Sequence, residues 1–95
     1  MNRAKKILMK ASSKLELPTD IIAGVPRIEL IGKEQCSIEP HRGLLVYTEE
    51  RICIETDSGI VNVVGNHMRI KQMNASRIVI SGVLKETGFV EELNE

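Results

Sequence analysis

Two histidines, two cysteines and one basic stretch are the side chains through which this 95-residue chain could do chemistry. His41 sits in Glu39-Pro40-His41-Arg42-Gly43, a segment of turn formers, and His67 follows Gly65-Asn66. Imidazole does acid–base work or binds zinc, but neither histidine has a second one at ligand spacing, and Glu39 with His41 makes too small a ligand set. Solvated or turn-capping histidines fit both positions better. Cys36 and Cys53 would need a nearby cation or helix N-terminus to become nucleophiles. Both fall in alternating apolar segments instead, which predicts small hydrophobes packed in strands. Their spacing fits no metal motif, and two cysteines do not make the dense framework of a small secreted domain. Glycines 43, 59, 65 and 82 punctuate strands without forming a phosphate loop, and no Ser/His/Asp set or paired carboxylates stand at convincing spacing. The sequence predicts no catalytic residue, no metal site and no cofactor, hence a protein that is not an enzyme.

The basic stretch is the better candidate. Residues 1–16 carry Arg3, Lys5, Lys6, Lys10 and Lys14 against Glu16 alone, while the C-terminal end holds Glu86, Glu91, Glu92 and Glu95 against Lys85. Across the whole chain 13 basic and 13 acidic residues cancel. Three uses compete for the lysines. They are the solvated side of a helix that caps the sheet, or they dock on a partner protein, or they lie on an anionic membrane surface, where each contributes ~1 kcal/mol. A stripe without Trp or Phe weakens the membrane option. Nucleic acid is not expected as a partner: Tyr47 and Phe89, the only aromatics, make a poor stacking platform, and a neutral chain lacks the basic footprint.

Two kinds of element would position these groups. Ala4, Ile7, Leu8, Ala11 and Leu15 recur at helical spacing, so residues 1–16 read as a basic amphipathic α-helix closed by Pro18. Thr19 and Asp20 could start a short turn over residues 19–23, ended by Gly24. From Arg27 onward the period becomes two: Ile28/Leu30, Cys36/Ile38, Leu44/Val46, Ile52/Ile54, Val61/Val63, Met68/Ile70 and Ile78/Ile80. Seven short strands with one apolar and one mixed face follow, as in a sheet packed on one side. Thr56-Asp57-Ser58-Gly59 and Gly65-Asn66 are hairpin signals, so pairing is antiparallel. Ile38-Glu39 with Gly43 echoes Ile54-Glu55 with Gly59 at a spacing of 16, and Ile70-Lys71 with Ala75 continues the echo. A repeated hairpin explains it; a short β-solenoid is the other reading. The expected architecture is mainly β: an antiparallel β-meander over residues 27–90, a curved sheet or small sandwich, behind the helix over 1–16, in a single domain spanning 1–95. No apolar run approaches the ~20 residues of a membrane span, and no signal-peptide pattern follows the basic start. The expected location is cytoplasmic.

Leu17-Pro18, Pro26-Arg27-Ile28-Glu29-Leu30-Ile31-Gly32 and Ile38-Glu39-Pro40-His41-Arg42-Gly43-Leu44-Leu45-Val46-Tyr47 resemble the YabP/YqfC family of sporulation proteins, the YqfC branch most closely. The likeness runs on through Gly59-Ile60-Val61, Met68-Arg69-Ile70 and Ile78-Val79-Ile80-Ser81-Gly82. These are strand and turn patterns, and their order and spacing carry the resemblance. It implies a small protein of the mother cell of an endospore-forming bacterium, needed for the spore envelope (cortex or coat) and associated with a larger membrane-linked sporulation partner. No family catalytic residues carry over. The leading expectation is a non-enzymatic interaction and assembly module that docks through Arg3, Lys5, Lys6, Lys10 and Lys14, with open strand edges available for homo-oligomerisation. The competing class is a small Sm-like or SH3-like nucleic-acid-binding barrel, opposed by the few aromatic and clustered basic residues within the strands.

Overall fold

The alternating segments from Arg27 onward all become strand. The computed structural model describes residues 25–93; the expected helix over 1–16, with its five basic residues, and the turn over 19–23 lie outside the described residues. Six strands follow one another: β1 (Arg27–Ile31), β2 (Gln35–Glu39), β3 (Gly43–Tyr47), β4 (Arg51–Thr56), β5 (Gly59–Met73) and β6 (Ile78–Val90). Every pairing is antiparallel, in one sheet of order β1-β2-β6-β5-β4-β3.

Two expectations need correction. The strands number six because Gly65-Asn66 is no hairpin: β5 runs through it, pairing with β6 from Ile60↔Val90 to Met73↔Ile78. The chain is also not a pure meander. β3 to β6 are sequential neighbours, but β2 pairs with β6, so residues 40–42 carry the chain from one side of the sheet to the other edge. The Asp57-Ser58 connection is a hairpin as expected, with Gly59 at φ 132°.

The sheet is folded over on itself. Ile78 and Ile80 pair with β2, whereas residues 86–90 of the same strand pair only with the first half of β5. Ile80 and Thr87 would lie roughly 23 Å apart on a straight strand. Yet Cys36, Ile38, Ile78 and Ile80 from one end form a single buried cluster with Ile52, Ile54, Val61 and Val63 from the other. Both long strands must therefore bend, and the register of β5 on β6 breaks between Val64 and Gly65, Asn66 and Arg69, and Ile70 and Gln72. Such bulges are the usual means of bending paired strands sharply. His67 takes up the extra residue at φ 52°. A Cβ on Gly65 would overlap the Val83 carbonyl oxygen, and one on Gly82 (φ 146°) would stand 2.7 Å from Met68 Cα and 2.8 Å from the His67 carbonyl oxygen. These glycines are where two backbones touch, a use of strand glycine distinct from chain reversal.

Bending exposes backbone groups that the ladder no longer pairs, and the two short hairpin turns take them up. In the turn after β1, the Glu34 carbonyl accepts the Gly82 N–H (3.1 Å) and the Lys33 carbonyl that of Leu84 (2.8 Å). In the turn after β3, the Glu50 carbonyl accepts the Gly65 N–H (3.1 Å) and the Glu49 carbonyl that of Met68 (2.9 Å). The two hairpins are equivalent. β3 begins and ends 16 residues after β1, β4 begins 16 after β2, and the capping carbonyls keep the same offset. The 16-residue echo in the sequence is thus a pair of hairpins, one on each bent strand.

Burial at the inner strands departs from the one-sided expectation. Cys36-Ser37-Ile38 and Ile52-Cys53-Ile54 are each three consecutive buried residues. Inner strands flanked on both sides bury their centre on both faces, with Val79 beside Ser37 and Asn62 beside Cys53. The corner predicts a contrast between glycines. Gly82→Ala should lower unfolding free energy by about 3 kcal/mol or more, whereas Gly88→Ala, whose Cβ meets nothing within 4 Å, should stay within about 0.5 kcal/mol. Denaturant titration of both variants measures the difference.

Candidate functional site

The residues with chemistry are scattered by this fold. His41 lies in the crossing connection, whose Glu39–Pro40 peptide is cis. Its Nε2 donates to the Asn74 carbonyl in the β5–β6 turn (2.9 Å), which fixes the tautomer; Nδ1 is buried without a partner among the described residues. Beside it, the Arg42 N–H donates to the Glu55 carbonyl (2.7 Å). The Arg42 guanidinium grips Asp57 through two bonds, Nε to Oδ1 at 2.6 Å and Nη2 to Oδ2 at 3.0 Å. That hydrogen bonding holds the Asp57 carboxyl below its ordinary range and raises the arginine. Pro40, His41, Arg42, Asp57, Ala75 and Ser76 line a cleft of about 310 Å³. Its one arginine is committed to Asp57, so the cleft works as a clasp joining three connections at one end of the sheet.

His67 stands at the corner, its side chain 84% exposed and Nδ1 3.8 Å from Glu49 Oε1. It is far in the chain from His41 and shares no ligand with it; among the described residues no group of three or more His, Cys, Asp or Glu could hold a metal ion. The thiols diverge as their alternation predicted. Cys36 joins Ile38 on the core face, and burial pushes its thiol up to about 11. Cys53 lies on the other face of β4 and donates to Asn62 Oδ1 at 3.3 Å, an oxygen that also accepts from Arg51 Nε at 3.0 Å. Both cysteines are free and buried. Neither has the exposure that a nucleophile requires.

The fold also leaves strand edges and large apolar side chains accessible. β1 and β3 each pair on one side only, and so do residues 86–90 of β6. Of the exposed large hydrophobics, Leu30 and Ile31 on β1, Leu45 and Tyr47 on β3 and Phe89 on β6 lie on these edges, and Val83 of β6 and Met73 at the end of β5 lie elsewhere. Tyr47 and Phe89 lie on different strands that do not pair, which makes no stacking platform. Sequence reasoning saw that edges would exist; which strands formed them was hidden, because edge position depends on strand order. The basic residues Arg3, Lys5, Lys6, Lys10 and Lys14 lie outside the described residues. Among those described, no helix is long and apolar enough to cross a membrane.

The class defined by these features is a small antiparallel β domain whose single sheet is folded at a glycine corner and open at its edges. The YabP family model matches residues 23–95, the whole of that sheet included. The chain belongs to the YabP family. It is 32% identical over 90 residues to YqfC of Bacillus subtilis (strain 168), a protein described as uncharacterized, covering 95% of this chain and 94% of that one.

Two measurements check the local chemistry. With a pKa near 11, only about one Cys36 in a thousand is thiolate at pH 8, so the native protein should resist thiol reagents and react fully once unfolded. Asp57 should titrate below an ordinary carboxylate by NMR, and Arg42→Ala should move its midpoint up. Since the folded pKa is lowered, the pair's stabilisation is present at neutral pH and is lost as pH falls through that midpoint.

Proposed function

We propose that this chain is a non-enzymatic assembly module of sporulation. It works at the cytoplasmic side of a membrane in the mother cell, helping to build the spore envelope (cortex or coat) with a membrane-associated sporulation partner. The observation that carries the reading is membership of the YabP family over residues 23–95, with the likeness to sporulation proteins running most closely to the YqfC branch. The arrangement of the molecule supports it. His41 and Arg42 tie connections together, both thiols are packed away, and the sheet presents strand edges with exposed apolar side chains, a means of recognising other chains through backbone pairing. The basic stretch, with Arg3, Lys5, Lys6, Lys10 and Lys14, provides attachment to the partner or to anionic lipid beside it.

Affinity purification from sporulating cells tests the proposal. The full chain should retain a membrane protein that a chain lacking residues 1–16 loses, with a matching loss of mature spores. Unchanged sporulation and an unchanged set of retained proteins after that deletion would contradict it.

A further inference from the structure

The duplicated hairpin provides a comparison inside one molecule. β1 and β3 hold equivalent places, 16 residues apart, each at one end of the sheet. Their sequences differ where it matters for pairing. β1 reads Arg27-Ile28-Glu29-Leu30-Ile31, with exposed charges at its first and third positions, a common protection of an edge strand. At the same two positions β3 has Gly43 and Leu45, and the whole strand, Gly43-Leu44-Leu45-Val46-Tyr47, carries neither charge nor proline. Leu45 is 41% and Tyr47 51% exposed. A bulge between Leu44 and Val46 and a φ of 143° at Gly43 make β3 locally irregular. Tyr47 is held in place, its hydroxyl accepting the Ile70 N–H at 3.2 Å, while β4 is the only strand paired with β3 among the described residues.

We propose that β3 pairs antiparallel with β3 of a second copy of this chain, about a two-fold axis near Leu45, so that one sheet runs through both copies. The composition of the strand favours itself as partner. Antiparallel self-pairing sets Leu45 beside its counterpart, Leu44 beside Val46, and Gly43 beside Tyr47. No like charges meet across such a ladder. The same operation on β1 about Glu29 would put two carboxylates face to face. A five-residue strand buries less than the ~800 Å² per partner of a standard interface, so the dimer is weak and concentration-dependent. This deepens the assembly reading by naming its self-association surface; it does not involve residues 1–16 and stands or falls apart from the membrane partner.

The test is sedimentation velocity of the full chain between about 5 µM and about 500 µM, a span that brackets weak association. The wild type should pass from monomer to dimer. Leu45→Lys should raise the dissociation constant at least about tenfold while leaving the thermal unfolding midpoint in place, and Ile31→Lys on β1 should dimerise as the wild type does. Leu45→Cys should form a disulfide-linked dimer on mild oxidation, since Cys36 and Cys53 are buried. A wild type that stays monomeric throughout, a dimer abolished by Ile31→Lys and untouched by Leu45→Lys, or a dimer in which Leu45→Cys does not cross-link would each overturn the proposal. In the first case, protection of β3 by a different protein's strand would be the reading that replaces it. Co-purification of a membrane partner, lost or kept on removing residues 1–16, bears on the assembly role alone.

Discussion

The close crossing of β5 and β6 at Gly65 and Gly82 is the constraint on which the rest of the molecule depends. Two backbones approach there without room for a Cβ, and this lets one sheet turn back and enclose its own apolar face. Without the bend, Ile38 and Ile80 would be separated from Ile54 and Val61, and neither group would have enough apolar surface opposite it. A single cluster containing Ile38, Ile52, Ile54, Ile78 and Ile80 is available only to a folded sheet. With each such side chain contributing roughly 1.5–3 kcal/mol on burial, the corner decides whether a chain this small has a core at all.

The corner needs its own partners, because bent strands leave N–H groups that no ladder accepts and that are costly if buried unpaired. The hairpin turns meet this need symmetrically, with carbonyls of Lys33 and Glu34 on β6 and of Glu49 and Glu50 on β5. This division of labour explains why the outer strands look as they do. β1 and β3 exist to brace β2 and β4, and bracing leaves their far sides unpaired. The turns brace the corner, and the ion pair of Arg42 with Asp57 clasps the opposite end, so neither closes the outer edges of β1 and β3. The assembly role proposed for this chain would use those edges.

Much of this was legible in the sequence, for reasons that can be traced to particular residues. Period-two alternation placed strands around Ile28, Cys36, Leu44, Ile52, Val61 and Ile78, and Asp57-Ser58-Gly59 marked a true hairpin. The 16-residue echo of Ile38-Glu39 in Ile54-Glu55 was physical, since those pairs occupy matching places in β2 and β4. Gly65-Asn66 misled because glycine serves both chain reversal and close backbone approach, and the choice is made by Val83 and Leu84 of a strand that comes later in the chain. The pairing of β2 with β6 was hidden for the same reason: strand order is a long-range property. Burial of Ser37 and Cys53 on the second face followed from that order. The packing of Cys36 on the core face followed its alternation with Ile38, while the basic stretch rests on composition and resemblance.

Amide hydrogen exchange at the corner tests the account most directly. If the two hairpin turns hold both bent strands as one unit, the amides of Gly65, Met68, Gly82 and Leu84 should exchange together, in the slowest class, at the free energy of global unfolding. Exchange of one pair within minutes while the other persists would show two halves opening separately, and would contradict a single folded sheet locked at its corner.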